Sequence, residues 1–535
     1  AGGNGSVTIA ADGEGQITIG KEESEDDRID KDTQILGGNI QIGKAGQDTA
    51  ISITDALIGI PGEETTNSSI QINAGKESVT VVGSEIGTAS GDVPQTGNAG
   101  SVAITGGTVQ VGSLTQGTGA GDGDEFDTAI GGSSITIGGG NTGSVTVGDA
   151  QIGAGSQGEQ SGSKVTIEVG NNGNEPGKIT IGSADGSTDT SISGDSVTIG
   201  SATDDGGKPQ GSADITIAGN RDPEGSNSTT TISGDKVTIG NGTGGVSLEG
   251  TNVVSDGDSD SDGINVAVGD DGKLNIKDSI LDATGGLTDA GFGQGSATGN
   301  VTISGPTGET QGSIQGSQIA SGGDVGFSGN LDIADSDIEA GAGTGSGTGS
   351  VNFETPEGNK GTVNITGGST ITGDGMTVDN DTSVNLGGRG DDADTGNRIN
   401  ISDDGEIKAE GSLNIAGGND INGAGDLTVN TGENGTGTVN VAERNFPPDY
   451  AQAPEHWVKF RHQPLRRFIV VLVVKHDPQH NSPRRFPEHI GKFLRVVLGK
   501  LPARLLYALL LPYEVVVAPE RRERHELPRS VRVTS

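Results

Sequence analysis

The chain contains no cysteine, one methionine (Met376) and one tryptophan (Trp457), and aromatic residues make up 2% of its 535 positions. Without cysteine, disulfides and thiolate metal sites are excluded, and the redox state of the compartment is left open. Without rings, the large-aromatic core of an ordinary β-sandwich has nothing to build on. No stretch approaches the roughly 20 apolar residues of a membrane-spanning helix.

What is abundant is glycine, at 98 residues, together with acid: the formal charge is −40. Neither is evenly spread. Before Glu443 there are 16 Lys and Arg against 64 Asp and Glu, a charge of −48; from Glu443 onward 17 face 9, a charge of +8. All six His, all three Tyr and the Trp lie after the break, whereas 96 of the 98 Gly precede it. Residues 1–442 and 443–535 are two kinds of sequence. A charge of −48 repels phosphate, so nucleic acid is excluded as a partner of the long part.

The long part is built on a triplet, apolar–polar–apolar, often followed by Gly. Val7-Thr8-Ile9, Ile17-Thr18-Ile19, Ile135-Thr136-Ile137, Val145-Thr146-Val147, Ile179-Thr180-Ile181 and Val363-Asn364-Ile365 are examples. Alternation of β-branched residues is the period of a strand with one buried face. The Gly, Asp, Asn and Ser that follow end each strand at once. Gly/Ser/Asp richness with high charge also marks disordered chains, but linkers do not place Val-x-Ile triplets so regularly. The spacing predicts an all-β parallel β-solenoid over residues 1–442, with thin aliphatic layers stacked coil on coil. At roughly 20 residues per coil it would hold roughly 22 coils. One nonapeptide occurs twice, as ISGDSVTIG from Ile192 and ISGDKVTIG from Ile232, 40 residues apart.

The runs GSTITGDGMTVDNDTSVNL (368–386) and GSLNIAGGNDINGAGDLTVNTGENGTGTVNV (411–441) resemble passenger regions of bacterial autotransporters and filamentous-haemagglutinin-like surface adhesins. The likeness lies in repeat texture over residues 1–442. It implies a right-handed parallel β-helix and a place on the bacterial cell surface or outside it. It also implies outer-membrane export machinery and a role in adhesion or biofilm. The implied partners are host-cell or matrix glycans and proteins, or neighbouring cells. Such passengers are usually followed by a membrane β-barrel, which residues 443–535 do not resemble.

Chemistry has few candidates. Asp256, Asp258, Asp260 and Asp262 alternate with Gly and Ser, supplying hard oxygens like the first half of an EF-hand loop. Counted from Asp258, position 12 is Gly269 rather than the bidentate Glu. A solvated acidic turn explains the run as well. Calcium is the one ion for which the sequence offers ligands, and no cofactor is required. A polysaccharide-processing enzyme is the alternative from another class, since paired acids suit glycoside chemistry. Yet residues 1–442 hold no Trp, Tyr or His to stack or titrate, and the expectation is no enzyme. Outward Thr at positions 8, 18, 136, 146, 180, 198 and 238 suggests a third reading, ice binding, against which the irregular triplet spacing counts.

Eleven of the 18 Pro fall in residues 443–535. Phe468–Val474 is too short to span a bilayer, and Ile490–Leu511 reads as a basic amphipathic helix interrupted by Gly499 and Pro502. His476 and His480 have the spacing of a zinc-binding helix, but Pro478 sits between them. So abrupt a change of composition is also what out-of-frame translation produces. The tail is expected to stay outside the solenoid, as short helices or loops.

Overall fold

The computed structural model describes residues 5–11, 15–20, 33–44, 46–59, 69–87, 100–114, 128–154, 163–171, 175–203, 209–221, 228–240, 244–257, 259, 262–285, 295–343, 348–355, 359–387, 396–416, 419–423, 428–430, 438–441, 459–461, 468–473, 514–519 and 531–533. The described residues are all strand, turn and bend, with no helix. The chain forms two compact units, Ala1–Leu331 with Gly341–Gly347, and Asp332–Ala340 with Thr348–Ser535.

In the first unit, the described residues between Ser6 and Ser321 form thirty strands that fall into ten coils of three. Each strand pairs in parallel with its counterpart one coil away. Ser134–Gly139 runs beside Lys164–Val169, Ser144–Gly148 beside Gly177–Ile181, and Ala150–Ala154 beside Thr190–Gly194. Pairing of every strand with the third one along, and not with its chain neighbour, makes this a β-solenoid rather than a barrel. The two nonapeptides stack: Ile192 lies opposite Ile232, and Val197 opposite Val237.

The coils are longer than the sequence suggested. Successive first strands begin at Ser101, Ser134, Lys164, Ser196 and Lys236, steps of 33, 30, 32 and 40 residues rather than about 20. Three strands with three connections make one turn, which is why a coil takes more than about 20 residues. The strands keep register whatever the connections do, because their side chains fix it. One inward column runs Ile40, Ile70, Val102, Ile135, Val165, Val197, Val237, Ile264 and Val301, all at most 2% exposed. Each contributes roughly 1.5–3 kcal/mol. Phe327 takes a place in such a column opposite Ile303 and is buried, so two of the scarce rings (the other is Phe353) serve the core.

Corners are built from residues that accept φ > 0. Between second and third strands stand Asp55 (φ 47°), Asp149 (47°), Asp278 (50°) and Gly83 (61°), Gly250 (61°), Gly316 (59°). The next residue is small and buried: Ala56 and Ala150 after Asp55 and Asp149, and the polar Ser84, Thr251, Ser279 and Ser317 after the other four. Ser279 Oγ donates to Lys277 O at 2.9 Å and accepts from Thr251 N at 3.2 Å, and Ser317 Oγ repeats the pattern with Gln315 O and Ser279 N. This ladder satisfies backbone groups that the corner removes from the sheet.

The second unit continues the plan with asparagine. Ser336 N donates to Ser369 Oγ, Ser369 N to Asn397 Oδ1 and Asn397 N to Asn419 Oδ1, at 3.1–3.2 Å. Outside, Asn414 donates to Asn385, Asn385 to Asn364 and Asn364 to Asp332. In the tail, Lys459–Arg461 pairs in parallel with Thr428–Asn430, and Phe468–Val473, Glu514–Pro519 and Val531–Val533 follow as antiparallel strands. The described tail strands after Arg461 are thus antiparallel, unlike those of the solenoid. Its segment at Phe468 is strand and not helix, which its Phe-Ile-Val-Val-Leu-Val sequence favours. Ile490–Leu511 lies outside the described residues.

Candidate functional site: an acidic corner

The corner that leads from the third strand of one coil to the first strand of the next is where carboxylates gather. After Thr190–Gly194 it consists of Asp195 alone, and after Thr230–Gly234 of Asp235 alone. In the following coil Gly234 lies opposite Ser255 and Lys236 opposite Gly263, so residues 256–262 replace a single aspartate. Asp256 and Asp262, at the two ends of that insert, both come to the corner that Asp235 occupies.

Each acid is held differently. Asp195 accepts hydrogen bonds from Ser163 N at 3.2 Å and Ser163 Oγ at 2.7 Å, and its own N–H donates to Ser163 Oγ at 2.9 Å. Asp235 offers its main-chain oxygen to Gly263 N at 2.9 Å and to Ser255 Oγ at 2.6 Å. Asp262 Oδ2 accepts from Ser259 Oγ at 2.5 Å. Gly257 fits only because it lacks a side chain: a Cβ there would lie 2.3 Å from Asp262 Cβ and 2.5 Å from Asp235 O.

The result is electrostatic crowding. The carboxyl of Asp235 is pushed up to about 6 by desolvation, then by the charges of Asp256 and Asp195, a hydrogen bond with the Asp256 carboxyl, and the charge of Asp262. Like charges on coils about 4.8 Å apart cannot all ionise without cost. Asp235 is an exposed residue, so water and salt screen part of this effect. Elsewhere on the first unit the opposite occurs: Asp185 is held down at about 2 by hydrogen bonds from Ser183 and Ser187. Burial pushes Glu168 up, against the pull of Lys164.

Of the four aspartates singled out in the sequence, Asp256 and Asp262 meet at this corner, while Asp258 and Asp260 lie outside the described residues, as do His476 and His480. Among the described residues, no three His, Cys, Asp or Glu side chains are grouped to hold a metal ion. The other two members of the corner, Asp195 and Asp235, were not singled out. Their signal was present, since they are the aspartates of the duplicated ISGD. Asp282 was also missed: it is fully buried and accepts from Thr284 N at 2.9 Å and Thr284 Oγ1 at 2.6 Å. No protein family, curated protein or solved structure matches this chain.

Proposed function

We propose that the chain is a bacterial cell-surface or secreted adhesin or structural stalk, which works through an extended, repetitive surface and weak multivalent contact. The observation that carries this reading is strict strand register combined with connections of very unequal length. Such a scaffold holds many different corner segments at fixed intervals while its core stays the same. Loops on a rigid frame are where recognition usually resides. Its partners are then glycans or proteins of host cells, matrix or neighbouring bacteria. The test is adhesion of beads coated with the full chain to bacterial and epithelial cells. Attachment no greater than that of albumin-coated beads ends the reading.

One observation favours a second reading, ice binding. Thr136, Thr166, Thr198 and Thr238 lie in unbroken register on adjacent strands, so the irregular coil lengths that counted against a lattice-matched array are absorbed in the connections. Thermal hysteresis measurements decide it, and growth of ice crystals unaffected by the protein removes it.

A further inference from the structure

A polar notch lies at the corner between first and second strands. In three consecutive coils this corner has four residues (74–77), then two (106–107), then four (140–143). The short Gly106-Gly107 turn between two longer ones leaves a gap of about 310 Å³, lined by Lys76, Gly107, Thr108, Asn141, Gly143, Ser144 and Asn171. That is the low end of the roughly 300–1,000 Å³ range of small-molecule sites.

The floor is fixed by glycine. A Cβ on Gly107 would stand 2.0 Å from Lys76 O and 2.7 Å from its carbonyl carbon, so any side chain here would both collide with backbone and fill the gap. Backbone donors of the floor are already engaged: Gly107 N donates to Glu77 O and Gly143 N to Gly107 O, both at 2.8 Å. Recognition therefore falls to side chains. Thr108 and Ser144 hydroxyls stand side by side at 3.5 Å. Asn171 Oδ1 accepts from Ser212 N at 2.9 Å, which anchors that amide and leaves its NH2 group to donate. Lys76 is exposed and supplies the only formal charge of the lining.

We infer that this notch binds an acidic sugar of a surface polysaccharide, a hydroxyl-rich ring carrying a single carboxylate. Two hydroxyls and two amides match ring hydroxyls, and Lys76 matches one carboxylate. The surrounding charge of −48 over residues 1–442 disfavours densely sulfated or phosphorylated polymers, which a lone lysine cannot offset. The inference rests on the adhesin reading and names a ligand class for it.

The test is saturation-transfer NMR and calorimetric titration of the full chain with a glucuronate-containing disaccharide, its neutral glucose counterpart and a heparin fragment. The acidic disaccharide should bind best. Lys76→Gln should weaken it roughly tenfold or more, the loss of one charged hydrogen bond, and leave the neutral sugar unchanged. Asn141→Ala should weaken both. Among the described residues neither side chain has an intramolecular partner, so both variants should melt with the wild type, which separates binding from folding. Equal binding of acidic and neutral sugars, stronger binding of heparin, or a Lys76→Gln variant indistinguishable from wild type would overturn the inference. Cell attachment by full-chain beads, measured alongside, separates the two claims: attachment that persists while the acidic disaccharide fails to bind removes the notch alone.

Discussion

Single residues decide whether a coil can turn. Asp55, Asp278 and Asp335 adopt left-handed backbone, and in the coil stacked on each the equivalent residue is glycine: Gly83, Gly316 and Gly367. The reason is steric. A Cβ on Gly83 would lie 2.2 Å from Asp55 Oδ1, and on Gly316 or Gly367 2.5 Å from Oδ1 of the aspartate beneath. Asp55→Gly should therefore change stability by only a few tenths of a kcal/mol, whereas Gly83→Ala should cost about 1–3 kcal/mol from backbone strain alone. Equilibrium denaturation of both variants checks the order, and equal losses would contradict it.

Titration of Asp235 makes the second residue-scale prediction. Its carboxyl is pushed up to about 6 in the folded chain, above the ordinary 3.8. The protonated form is thus the one folding favours. That contribution is complete below pH 3.8 and is lost as pH rises through about 6. Asp235→Asn should raise the melting temperature at pH 7 and leave it unchanged near pH 4, with the gap shrinking in high salt. An equal shift at both pH values would show that the aspartate acts by packing and not by charge.

At the scale of strands, the two faces of one triplet should respond in opposite ways. Ile239 is fully buried in its column and Thr238, beside it on the same strand, faces outward, half-buried. Ile239→Ala should cost about 2–5 kcal/mol through lost contacts and a cavity. Thr238→Val should stay within about 0.5 kcal/mol, as surface substitutions usually do. Similar losses at both sites would mean that the strand is not one-sided. This alternation was the legible part of the sequence, because inward Val and Ile must recur with period two for any coil to close. Ile192 of the duplicated ISGD-x-VTIG lies opposite Ile232 on the adjacent coil, whereas about 20 residues per coil would have set the two copies two coils apart. The number of strands per coil was not legible, since triplets on all three faces look alike. Corner chemistry was half-visible. The recurring Asp-Ser, Gly-Ser and Gly-Thr steps at Asp278-Ser279, Gly316-Ser317 and Gly250-Thr251 mark the turns, but only the fold shows that their hydroxyls carry hydrogen bonds from coil to coil. The notch at Gly107 was invisible, because it comes from a difference in length between neighbouring turns.

For the molecule as a whole, charge and chain ends matter most. With a formal charge of −40, divalent cations should raise the melting temperature, and about 5 mM calcium reaches the affinity range of extracellular modules. A calcium effect larger than that of magnesium would place ligands in the Asp256–Asp262 insert, equal effects would indicate general neutralisation, and no effect would refute both. The tail gives the last prediction. Lys459–Arg461 continues the parallel stack on Thr428–Asn430, and the antiparallel strands after it turn away from the solenoid pattern. A terminal coil without a neighbour presents unpaired backbone, which repeat proteins cover with an atypical end. Eleven prolines and clustered arginines make the tail unfit to extend the aliphatic columns but not to cover one strand. Deleting Asn445–Ser535 should then speed amide exchange at Thr428–Asn430 while columns around Val197 and Val237 keep full protection, because each coil depends mainly on its neighbours. Unchanged exchange at Thr428–Asn430 would mean that the tail covers nothing, as out-of-frame translation would predict. Loss of protection throughout the first unit would mean that folding depends on the tail.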